Sequence, residues 1–125
     1  MKVLCALAFF LAASNSAHAE SYSGADLKRF ADAGEAVKEG QSGVDQIGAG
    51  VYIGYLAGVA GSFQGIYYCP PTGVTLRDEA AVVAKYLKDN PDKLEQPTQL
   101  LVVKALEVAY PCSSAFSPAD LNKQK

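Results

Sequence analysis

At 125 residues, half of them hydrophobic and with a net charge of −2, the chain has the size of one domain. It has no basic surplus with which to hold nucleic acid or an anionic membrane surface. Its only histidine, His18, and one of its three cysteines, Cys5, fall within the first nineteen residues.

Those nineteen residues read as a secretory signal. Lys2 supplies the positive start, residues 3–13 the apolar stretch, and Ala17-His18-Ala19 a small-x-small cleavage site. The stretch is too short to cross a bilayer. Cleavage before Glu20 leaves ten basic and thirteen acidic residues, a net charge of −3, and places the protein in the periplasm. It also removes His18. A chain without histidine builds neither a Ser-His-Asp nor a Cys-His nucleophile, and no histidine-based zinc site. The sequence therefore predicts a binding protein rather than an enzyme, with no catalytic residues, metal or cofactor. Catalysis by carboxylates, Lys, Tyr or Ser is the enzymatic alternative.

The predicted elements are all helical, a bundle of about four. Ser23 caps a first helix running to about Lys38, with Leu27, Phe30, Ala31 and Val37 on one side and Gly40 as its stop. A long apolar second helix follows over residues 44–68. Residues 69–74 form a rigid loop, since Pro70 and Pro71 fix φ and Gly73 permits a tight turn. Thr75, with Asp78 three residues on, caps a third helix whose stripe is Leu76, Ala80, Val83 and Leu87. Asn90-Pro91 ends it. A fourth helix covers residues 98–110, with Lys104 and Glu107 on its wet face and Pro111 as its stop. The domain is expected over 20–125, with 113–125 a polar tail. No alternation of strand type has useful length.

After export only Cys69 and Cys112 remain, each at the edge of a helical segment. Two thiols in an oxidising compartment without a C-x-x-C imply a structural disulfide. It joins the end of the second helix to the end of the fourth.

Residues 47–68 carry no charge and are long enough to span a membrane, and Gly50, Gly54 and Gly58 recur every four residues. Six glycines together with Ser62 and Gln64 dilute the apolarity, and no basic cluster flanks the segment. The reading is a buried helix without stable membrane insertion. Each interior glycine costs about 1 kcal/mol relative to Ala. Close helix packing, within the chain or across a dimer, is the expected compensation.

Other candidate sites fail on spacing. Gly48-Ala49-Gly50 follows no strand and lacks the dinucleotide pattern. Residues 89–92 lack the Gly and Glu of a calcium loop. Asp78 and Glu79 are adjacent, on different sides of a helix, so they form no acid–base pair. Tyr52, Tyr55, Tyr67 and Tyr68 are expected in the core with their hydroxyls at its edge.

The runs Tyr68-Cys69-Pro70-Pro71-Thr72-Gly73-Val74-Thr75, Tyr86-Leu87, Asn90-Pro91, Ala105-Leu106 and Tyr110-Pro111-Cys112 occur in order and at matching spacing. Together they resemble the Rap/Tai immunity family, and the 52–58 segment is similar to that family's preceding helix. Many members carry a second cysteine pair between the first two helices, which this chain lacks. The resemblance implies a periplasmic immunity protein, often dimeric. Such a protein docks on a peptidoglycan amidase effector of type VI secretion and inserts a loop or helix end into its catalytic cleft. Exposure and rigidity point to residues 88–96 as the contact, through Lys88, Asp89, Asn90, Asp92, Lys93 and Glu95. The 69–75 loop competes with it. The alternative function is a small periplasmic chaperone of the acid-stress type, or another exported binding protein.

Overall fold

A computed structural model describes residues 22–113. The signal segment 1–19 and the tail beyond 113 lie outside the described residues. Four helices follow in order: α1 Gly24–Lys38, α2 Gln46–Phe63, α3 Leu76–Asp89 and α4 Thr98–Ala109, with a 3-10 turn at Pro91–Lys93 between the last two. The described residues contain no strand, only an isolated bridge between Gln64 and Tyr68.

Two helix starts are locally encoded as expected. The hydroxyls of Ser23 and Thr75 accept from the backbone N–H groups of Asp26 and Asp78. Each aspartate reaches back to its cap, completing two capping boxes. The side chain of Asp45 caps α2 by accepting from the N–H of Gly48 at 2.8 Å. Asn90 ends α3 and Tyr110 ends α4.

The core is made by Leu27, Phe30 and Ala31 of α1, Tyr52, Leu56 and Val59 of α2, Val83 and Leu87 of α3, and Leu101, Val102 and Leu106 of α4. The α1–α2 pair makes the most extensive contact. Gly24 admits the close approach of α1 to the chain after α3, since a Cβ there would collide with the Leu94 carbonyl and lie 2.7 Å from Leu101 Cδ1.

Two expectations change. The second helix spans Gln46–Phe63, not 44–68. It stops because Gly65 takes a positive φ of 79° and its N–H donates to the Tyr68 carbonyl at 2.8 Å, reversing the chain. That turn drives Tyr68 into the core at 0% exposure. Cys69 thus lies beyond a turn rather than at a helix end. Its N–H donates to the Tyr110 carbonyl at 2.8 Å, and its sulfur bonds to that of Cys112, 43 residues on. The other change is Val37, which is exposed because the last turn of α1 lines a groove instead of packing into the core. Ala33 is buried on that helix instead.

No helix among the described residues is long and apolar enough to cross a membrane.

Candidate functional site

The loop after α3 is partly committed to its own structure. Asp89 pairs with Lys85, and the Asn90 side-chain amide donates to the Tyr86 carbonyl at 2.8 Å. Lys93 donates to Asn90 Oδ1 at 2.8 Å and sits 5.3 Å from the centre of the Tyr86 ring. Asn90 and Lys93 hold the start of the loop in shape, while Asp89 is engaged on the surface of α3. Lys88, Asp92 and Glu95 are exposed and make no ion pair among the described residues, so they are the ones available to a partner.

The 69–75 loop is braced at one end by the disulfide and at the other by the Thr75 cap, with Gly73 at a φ of 98°. The turn just before it presents Ile66 and Tyr67, 68% and 53% exposed, with Tyr67 tilted against Phe63 at 5.5 Å. The sequence reading placed these two inside a helix and missed their exposure.

Gly50, Gly54 and Gly58 do not pack against another helix among the described residues. All three are exposed, and a Cβ at any of them would meet no atom within 4 Å. Of the glycines in α2, Gly48 is the one held in close contact, against Phe30 and its own cap Asp45.

The tyrosines divide. Tyr52 is buried, and its hydroxyl donates to the Ala80 carbonyl at 2.6 Å; burial, reinforced by the charge of Glu35, raises its pKa. The Tyr55 hydroxyl shares a 2.9 Å hydrogen bond with Thr98. The Tyr68 hydroxyl is buried with no partner of hydrogen-bonding geometry. Burial, with the nearby Glu79 carboxylate, pushes its phenol up to about 12. Glu79 is itself buried, and desolvation raises its pKa. Its neighbour Asp78 shifts the opposite way, lowered by the hydrogen bonds from Thr75.

A feature the sequence reading missed is a groove of about 780 Å³ between the end of α1, the first half of α2 and the start of α3. Val37, Ile53 and Leu76 supply apolar lining, Tyr52 and Ala80 contribute from the core, and Glu35, Lys38 and Arg77 bring charge. Val37 in the polar last turn of α1 was the available sequence signal. Nothing local says that α2 and α3 leave a gap beside it. No group of three His, Cys, Asp or Glu side chains suited to a metal ion occurs among the described residues.

A search of curated proteins finds no match to the chain. A family model for Rap1a immunity proteins matches residues 23–112. That span begins at the Ser23 cap of α1 and ends on Cys112, the second half of the disulfide, so it takes in all four helices. On that match the chain belongs to the Rap1a immunity protein family.

Proposed function

We propose that the protein is exported to the periplasm, binds a peptidoglycan amidase effector of type VI secretion and blocks it sterically, without catalysis. The observation that carries this reading is the family match across residues 23–112. The geometry is compatible with such a role. A bundle closed by a disulfide, with loops pinned by Asn90, Lys93 and the Thr75 cap, loses little conformational freedom on docking, which favours tight inhibition. In this reading the 88–96 loop enters the amidase cleft through Lys88, Asp92 and Glu95, while Asn90 and Lys93 keep it rigid and Asp89 pairs with Lys85 on α3.

Self-association belongs to the same proposal. The outer face of α2 carries Gly50, Gly54 and Gly58 in open space, so no contact among the described residues offsets their cost to the helix. A second copy laid against that face supplies the close contact that favours glycine.

The test is co-expression with candidate amidases. One of them should co-purify with the protein, and its cell-wall cleavage should disappear at a stoichiometric ratio. Failure to capture or inhibit any amidase sinks the reading. Mass spectrometry of the periplasmic protein should show a chain starting at Glu20. Sedimentation should show dimers that Gly54→Leu dissociates.

A further inference from the structure

We infer that the groove between α1, α2 and α3 docks a segment of the protein partner that carries an apolar side chain beside a carboxylate. This deepens the immunity reading and rests on it for the partner's identity, though not for the chemistry of the groove.

The groove offers Val37 and Ile53, each 37% exposed, as large apolar side chains left in contact with water. A volume of about 780 Å³ takes an extended peptide segment with a bulky side chain. The charges around it are not balanced. Lys38 lies 3.7 Å from Glu35, so those two offset each other. Asp78 is adjacent and ionised, but it does not line the groove: its carboxylate turns back to accept from the Thr75 N–H at 2.8 Å and the Thr75 hydroxyl at 2.7 Å. Arg77 makes no ion pair or side-chain hydrogen bond among the described residues. A free guanidinium beside an apolar floor, the one lining charge left without an opposite partner, selects an incoming carboxylate, which it grips in a two-pronged fashion.

Position also fits a second anchor. The groove lies at the start of α3 and the 88–96 loop at its end, about 20 Å apart for a helix of this length. A standard interface of about 800 Å² per partner is roughly 30 Å across, so one protein reaches both.

The experiment has two arms. In the first, amide NMR spectra of the protein are followed while a capped glycine-leucine-glutamate-glycine peptide is added, then its glycine-leucine-lysine-glycine analogue. The expected result is saturable shifts at Gly34, Ile53 and Arg77 with the acidic peptide. Arg77→Glu should weaken them about tenfold, and the basic peptide should match that weakness. Arg77 is exposed in the first turn of a helix, where an acidic residue is favoured, so this variant folds. Absence of shifts, equal shifts with both peptides, or indifference to Arg77→Glu overturns the inference. In the second arm, amidase capture is compared for the wild type, Arg77→Glu and Val108→Ser, the last on an exposed site outside the groove. Selective loss in Arg77→Glu supports the groove. Capture by wild type that Arg77→Glu leaves intact overturns it while sparing the immunity reading. No capture with the peptide shifts present removes immunity and keeps the groove's chemistry. Self-association that Arg77→Glu abolishes overturns the inference, since the occupant is then a second copy.

Discussion

The two faces of α2 follow opposite rules. The inner face buries Ala49, Tyr52, Leu56, Val59 and Ala60 and tolerates no added volume at Gly48. The outer face, from Ile47 through Gly50, Gly54 and Gly58 to Gly61, is exposed, uncharged and unconstrained. A helix of 18 residues with no ion pair of its own and several glycines is held by one side only. The contrast teaches that the same residue type serves two ends. Glycine at 48 is demanded by the packing of the described residues, whereas glycine at 54 is not.

The largest effect should come from the constraint just beyond α2. Replacing Cys69 and Cys112 by Ser reopens a loop of 43 residues and should cost about 4 kcal/mol, read as a lower urea midpoint that added reductant no longer changes. Hydrogen exchange should then accelerate first in the turn at 64–68, whose position depends on the bond to Tyr110. Next, Leu56→Ala on the inner face should lose about 3 kcal/mol, because the side chain is fully buried and its removal leaves a cavity.

The glycines sharpen the contrast directly. Gly48→Ala should destabilise by about 2 kcal/mol, since its methyl group would press on Phe30 and on the Asp45 cap. Gly54→Ala should instead stabilise the isolated chain by about 1 kcal/mol, as expected for an exposed helix interior. Equal signs in thermal melts of the two variants would erase the distinction between the faces.

The smallest effect concerns pH, and it compares two neighbours on α3. Burial raises the pKa of Glu79 above its ordinary 4.5, so the stability linked to it is complete below 4.5 and is lost as pH rises through the raised value. Asp78 and Asp26 are lowered from 3.8 by their capping hydrogen bonds. Their contribution is present above 3.8 and lost as pH falls through the lowered values. Glu79→Gln should therefore gain on the wild type at neutral pH and lose that advantage below 4.5, as seen in urea midpoints at the two pH values.

Much of this was legible from local chemistry. Ser23 with Asp26, and Thr75 with Asp78, announce helix starts because the groups that satisfy the free N–H donors lie within three residues. The stripe of Ala80, Val83 and Leu87 is equally local. The end of α2 was not legible. Residues 64–68 have the same apolar, glycine-rich character as the helix before them, and only burial of Tyr68 and the tie to Tyr110 select the turn. The candidate contact loop was half legible. Its residues were recognisable as polar and exposed, but the division between those that brace it and those left free depends on the positions of Tyr86 and Lys85.

The sequence by itself determined the four helices, the caps of the first and third, the pairing of the last two cysteines and the motifs of the family, because each rests on contacts close in the chain or on elimination. Tertiary structure alone decided that Gly50, Gly54 and Gly58 face outward, that Glu79 is buried, and that Val37, Ile53 and Arg77 meet around one groove. Those facts depend on how α1, α2 and α3 are set against one another, and packing geometry between helices is a property of surfaces that no single segment contains.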